Sequence, residues 1–106
     1  MARGQLPVLS LDAVTGDTTG AVNDLGDTLG SHAVVVTISG HTGTAGIETY
    51  LDISLDDVNW VNLASTIHNV DGIFTATGSF PGRYVRARVV FEGTATATVT
   101  AWVAST

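Results

Sequence analysis

The sequence has no cysteine and no lysine, only two prolines, and an aromatic content of 7%. Without cysteine there is no disulfide, thiolate nucleophile or zinc–thiolate site, and the redox compartment stays open. Four arginines stand against ten acidic residues, for a net charge of −6. Covering a phosphate backbone needs clustered Lys and Arg, so this balance argues against nucleic-acid binding. No apolar run approaches the roughly 20 residues of a membrane-spanning helix. The opening MARGQLP has a basic residue but no apolar run behind it, so no signal peptide is expected. Hydrophobic residues make up 44%. That is too apolar for a disordered chain. A length of 106 residues fits one domain, 1–106, with one modest core.

What the sequence does contain is period two. Ile47, Thr49, Leu51, Ile53 and Leu55 alternate with Glu48, Tyr50, Asp52, Ser54 and Asp56. This is the pattern of a strand with one buried face. Asp56-Asp57-Val58-Asn59 interrupts it. Asp and Asn bond their own backbone and tolerate left-handed conformations, so a turn is expected there. A second strand resumes over Val58–Leu63, with Trp60 as a core anchor. His32–Ser39 has apolar residues on both faces, as a central strand does. In Arg83–Phe91, Arg83, Val85, Ala87, Val89 and Phe91 share one face; Tyr84, Arg86, Arg88 and Val90 share the other. In Thr94–Val103, Ala95, Ala97, Val99, Ala101 and Val103 point inward, and Thr94, Thr96, Thr98, Thr100 and Trp102 point out.

Weaker strands are read at Leu6–Val14, Ala21–Leu29, Ala64–Val70 and Ile73–Gly78. Pro7 confines the first to an edge or a strand start. Asn23, Asp24 and Gly26 disfavour a helix in the second. Thr15–Gly20, Gly40–Gly46, Asp71-Gly72 and Ser79–Gly82 read as turns or loops. About eight strands at this spacing predict an all-β, antiparallel β-sandwich or jelly roll. An extended, flexible N-terminal arm is expected over residues 1–9.

Candidate chemistry is sparse. Gly40, Gly43 and Gly46 space glycines through one loop, but a phosphate cradle needs a helix after it and usually a lysine. A strand follows here. His32, His41 and His68 lack paired-ligand spacing and read as surface or packing residues. Asp52, Asp56, Asp57, Asn59 and Asp71 match no calcium loop and read as solvated turn acids. Asp56 and Asp57 are adjacent and point apart, whereas an acid/base pair must converge on one bond. Ser79 sits in no nucleophile elbow. The expectation is no catalytic site, no metal site and no cofactor. Tyr84, Arg86 and Arg88 form a stripe that reads equally well as a protein interface or as cross-strand pairs with acids on the next strand. Trp102 reads as an exposed anchor or as a cap on the core.

Two stretches resemble known families. Ser54-x-Asp56-Asp57-x-x-Trp60 is similar to the S-x-D-G-x-x-W hairpin of discoidin-like jelly rolls and of many small tailed-bacteriophage virion proteins. Arg83-Tyr84-Val85-Arg86 resembles the R-Y-V-R strand that follows it in both groups. Asp57 stands where those families usually carry glycine. The resemblance spans about the last 60 residues. The short Gly/Ala/Thr/Val-rich, lysine-free chain looks most like a capsid decoration (head-stabilising) protein. That resemblance implies an inert structural protein on the outer surface of the virion. It implies homo-oligomers, often trimers, bound to the major capsid protein lattice, with no nucleic-acid or membrane partner. Leu6, Val8, Leu9, Tyr84, Arg86, Arg88 and Trp102 are the candidate protein-interface residues. A small tail or head–tail joining protein is a second reading of the same resemblance. A carbohydrate-binding or discoidin-like module is the alternative from another class.

Overall fold

The computed structural model describes residues 7–106. Seven strands form one antiparallel sheet: β1 (Val8–Val14), β2 (Thr18–Thr19), β3 (Asn23–Thr42), β4 (Ile47–Ser54), β5 (Trp60–His68), β6 (Gly72–Phe91) and β7 (Thr96–Ser105). Among the described residues there is no helix. The hydrogen-bonded order is β1-β7-β3-β6-β4-β5, with β2 also on β6.

Two strands of 20 residues, β3 and β6, make this one sheet into a sandwich-like body. The first half of β6 pairs with β3, from Gly72 opposite Ile38 to Gly82 opposite Leu29. The second half pairs with β4, from Tyr84 opposite Ser54 to Phe91 opposite Ile47. One strand therefore runs through both layers. Its inward parity changes at the bend: Phe74, Ala76 and Gly78 face the interior in the first half, and Val85, Ala87 and Val89 do so in the second, where they bury with Val34, Val36 and Ile38 of β3. Ile47, Leu51 and Ile53 of β4 and Val99, Ala101 and Val103 of β7 complete the core. The alternation read from the sequence in β4, β6 and β7 is the alternation observed.

Several boundaries differ from the sequence reading. Ser79–Gly82 is not a turn; it lies inside β6. Pro81 has no N–H to give a ladder, and it sits where the β3–β6 register shifts between Leu29 and Ser31, so no bond is lost there. Likewise Ala21–Leu29 and His32–Ser39 belong to one strand, β3, which continues to Thr42. Val58–Leu63 and Ala64–Val70 collapse into the single β5. Three mergers reduce the nine stretches read as strands to six, and the two-residue β2, inside the expected Thr15–Gly20 turn, makes seven. The 1–9 arm is also too long: Val8 and Leu9 pair with Val103 and Trp102 in β1, and residues 1–6 lie outside the described residues.

Trp60 is not a core anchor. It faces Ser54 across the β4–β5 ladder, on the outer side, and is only half-buried. A bulge explains what fills the core instead. Leu51 faces Ala64 and Asp52 faces Asn62, so Leu63 is the extra residue. Leu63 turns toward Gly78 of β6, where a Cβ would come within 2.5 Å of its Cγ. His68, further along β5, stacks on Phe74 with ring centroids 3.5 Å apart.

Ser10 closes the opposite side. It falls in the β1 register shift between Leu9 and Leu11 and is buried. Its hydroxyl donates to the Ala21 carbonyl at 2.8 Å and accepts the Ala87 N–H at 2.9 Å. The Ser10 carbonyl accepts the Ala21 N–H, and the Gly20 N–H donates to Ala87 O. One hydroxyl thus ties the edge strand β1 to the second half of β6.

Two hydroxyls should behave oppositely. Ser10→Ala leaves an N–H and a carbonyl unpaired in the interior and should lower stability by about 1–3 kcal/mol. Thr49 is fully buried on β4, and its hydroxyl has no partner. Thr49→Val keeps the shape and removes the unpaired group, so it should raise stability by about 1 kcal/mol. Urea unfolding of both variants checks the pair of signs.

Candidate functional site

Register assembles the most densely bonded polar cluster on the outer side of β4, β5 and the second half of β6. Asp52 faces Arg86, and Tyr50 faces Arg88. Asp52 is 3% exposed and lies between both guanidiniums, with Oδ2 at 3.4 Å from Arg86 Nε and 3.0 Å from Arg88 Nε. Each guanidinium also covers a ring. Arg86 lies 3.9 Å from the Trp60 centroid, and Arg88 lies 4.0 Å from that of Tyr50. The Tyr50 hydroxyl donates to Glu48 Oε1 at 2.6 Å. The result is a continuous ladder: Trp60, Arg86, Asp52, Arg88, Tyr50, Glu48.

The ladder sums to zero charge, two arginines against Asp52 and Glu48. Its donors point at its own acceptors. Hydrogen bonding to Asp52 holds the Arg88 proton more tightly than usual, and bonding to Glu48 pushes the Tyr50 hydroxyl up. Of the two readings of the Tyr84, Arg86 and Arg88 stripe, the geometry provides the cross-strand pairing for Arg86 and Arg88. Arg83, at the bend of β6, pairs with Asp24 at 2.9 Å and lies 5.3 Å from the Tyr84 ring centroid.

The other candidates lie elsewhere. Leu6 is outside the described residues. Leu9 and Trp102 are neighbours on the outer side of β1 and β7, each 38% exposed. Val8 is 37% exposed and faces Val103 at the edge. Trp102 is thus an exposed residue and not a cap on the core. Because the core lies between the two layers, Leu9 and Trp102 share no surface with Tyr84, Arg86 and Arg88.

The turn acids are occupied by their own backbone. Asp56 accepts from Val58 N, Asn59 N and Asn59 Nδ2 at 2.7–2.9 Å, and from the Ser54 hydroxyl at 3.0 Å. These bonds, led by the Asn59 N–H, hold its carboxyl far below the usual range. Asp57 takes a left-handed φ of 62°, as the turn chemistry requires. Asp71 accepts the Gly40 and His41 N–H groups at 3.1 and 2.8 Å, so the glycine loop already holds a carboxylate of its own chain. Among the described residues no three His, Cys, Asp or Glu side chains converge as a metal site.

His32 is a packing residue, one of the two readings that the sequence leaves open for it. It is 3% exposed, and Nε2 lies 3.0 and 3.1 Å from the Leu29 and Phe80 carbonyls. Carbonyls only accept, so Nε2 carries a proton, and in the neutral ring Nδ1 accepts the Ser105 hydroxyl at 2.7 Å. The ring pins the bend of β6 to β3 and β7. The position of His32 at the start of an apolar run was the available signal. Asp52 was missed as the centre of the ladder, although its place opposite Arg86 follows once β4 and β6 are paired.

No protein-family model, curated protein or solved structure matches the chain.

Removing the carboxylate of Asp52 should strand two half-buried guanidiniums. Breaking a fully buried pair costs about 3–5 kcal/mol; these arginines keep access to water, so Asp52→Ala should cost about 1–3 kcal/mol. Arg88→Met, which keeps the stem over Tyr50, should cost less. A larger loss in Arg88→Met would place the stability in the charge and not in the shared acceptor.

Stability should also fall at both extremes of pH. Asp56 and Asp24 are depressed in the folded state, Asp24 chiefly by Arg83. Their contribution is complete above the unfolded carboxylate range, about 4, and is lost as pH falls below it. Tyr50 is raised, so its contribution is complete below about 10 and is lost above. Melting temperature against pH should therefore show a plateau with both flanks falling; a maximum below pH 4 would contradict the assignment.

Proposed function

We infer that this chain is a structural protein of a tailed-phage virion, a decoration protein that binds the outer surface of the assembled capsid and stabilises it. The observation that carries the reading is an open sheet face without charge on an otherwise acidic scaffold. On β7, on β3 from Ala33 to Ser39 and on β6 from Ile73 to Ser79 the outward positions are Thr, Ser, Ala, Val, Ile and one Trp. The arginines of the other face are spent on Asp52, which leaves the uncharged face as the docking surface. Lattice binding needs no cofactor and no catalysis, only many weak copies acting together. The resemblance supplies the virion context, and the turn supports it. Asp57 adopts the left-handed conformation that glycine provides in those families. A jelly-roll topology and a part for the N-terminal arm in capsid attachment belong to the same proposal.

The test is co-sedimentation with empty heads of a phage that encodes the chain. The full-length protein should pellet with heads and bind isolated capsid subunits far more weakly. Deleting residues 1–6 should weaken attachment while circular dichroism stays β. If the full-length chain does not pellet with heads, the decoration reading is wrong. A glycan-array hit that disappears in Trp102→Ala would replace it with a sugar-binding module.

A further inference from the structure

The uncharged face carries a knob and a hollow side by side. Leu9, Trp102, Val35 and Thr75 are register neighbours and form one row across β1, β7, β3 and β6. The next row, two positions further along the strands, is Ala104, Ala33 and Thr77. The first row carries the Trp102 indole, which is 38% exposed. The second is small, and with Ser31, Gly78 and Ser79 it lines an open trough of about 350 Å3. Two positions along a strand are roughly 6.6–6.8 Å apart. The knob and the trough are thus adjacent on one face, and neither has a partner among the described residues.

We propose that this face is the interface of a two-fold homodimer in which Trp102 of each copy seats in the trough of the other. A two-fold axis lying in the interface, parallel to the rows and midway between them, maps the Trp102 row onto the Ala104 row. It keeps β7 over β7, so both knobs and both hollows are used at once, as an isologous contact requires. Charge selects the occupant. The chain carries −6 overall, so two copies repel wherever acidic surfaces meet. On the outward positions of β7, of β3 from Ala33 to Ser39 and of β6 from Ile73 to Ser79 there is no charge to repel or to desolvate; the exposed Asp24 and Asp27 lie nearer the start of β3, and Asp12 lies on β1. About this axis four rows overlap, from the Thr100 row to the Thr106 row, which at sheet spacings is roughly 500 Å2 per copy, and two copies reach the ~1,000 Å2 lower bound of a small specific interface. A centred Trp ringed by small polar residues is the usual composition of a binding hot spot.

This inference stands on the face alone and does not rest on the capsid reading; the two occupants exclude each other, so the dimer is the state of the free protein and a copy docked on a capsid through this face has left it. It departs from the trimer implied by the phage resemblance.

Sedimentation equilibrium of the full chain, from micromolar to submillimolar, tests it. A monomer–dimer equilibrium is expected, and Trp102→Ala should weaken it about tenfold or more. Thr77→Arg fills the trough and should weaken it as much; circular dichroism confirms the fold of both. The two variants should then complement each other. Mixed together, the intact trough of Trp102→Ala accepts the intact indole of Thr77→Arg, and the heterodimer should form more tightly than either homodimer. A chain that stays monomeric, a trimer, an equilibrium indifferent to Trp102→Ala, or variants that fail to complement would each overturn the proposal. Failure of head binding would leave the dimer untouched, and a monomer that still pellets with heads would leave the capsid reading untouched.

Discussion

The rest of the structure depends on β6 shifting phase by one residue at the bend where it changes layers, from even positions inward to odd ones. Its first half is fixed by β3 and its second by β4. Without that shift, Val85, Ala87 and Val89 would turn out to solvent and Arg86 and Arg88 would enter the core. Three local devices hold the phase at the bend. Pro81 falls where no ladder bond is needed. His32 binds the Phe80 carbonyl from beneath. Gly82 lets the chain pass within ordinary contact of Ile53 and the His32 ring, where a Cβ would meet Ile53 Cβ at 3.2 Å. Once the phase is fixed, both outer faces follow without further choice.

The sequence made the inner face legible because burial on one side of a strand imposes period two, and period two survives in a single chain. Ile47, Leu51 and Ile53, then Val85, Ala87 and Val89, then Ala97, Val99, Ala101 and Val103 were all readable in this way. The Asp56 turn was readable for a local reason: its bonds reach only two or three residues. What could not be read is what depends on distant chain. Ser79–Gly82 has the composition of a turn, and only the missing partner opposite Pro81 lets it run straight. Trp60 has the size of a core residue, but its parity relative to Ser54 puts it outside under Arg86. Ser10 and His32 acquire their roles from Ala87 and Ser105, 77 and 73 residues away.

The site was half legible for the same reason. Within β6, the strand Tyr84–Val90 showed which residues share a face. It could not show that Asp52 lies opposite, so pairing and interface were equally good readings. The register decides between them: a 3%-exposed carboxylate sits between two guanidiniums that are themselves laid on aromatic rings. Arginines held in this way are poor anchors for a partner, since each new contact must first give up an existing one.

The two outer faces therefore solve opposite problems. The Asp52 face carries formal charges that are costly to leave half-buried, and it neutralises them within itself, ring over guanidinium over carboxylate. That face is finished when the chain is folded. The Trp102 face carries hydroxyls and methyl groups that water satisfies only in part, with an indole that folding leaves 38% exposed. Threonine is well suited to such a surface. Its β-branch favours the strand, and its methyl and hydroxyl present a skin that tolerates water and dry contact alike. A large aromatic kept among such residues, on a chain that has only two tryptophans and has already placed the other under Arg86, adds little to the core. The free energy it can still release lies in burial against a second surface, and this is the ground for the interface proposed on the β1–β7–β3 side.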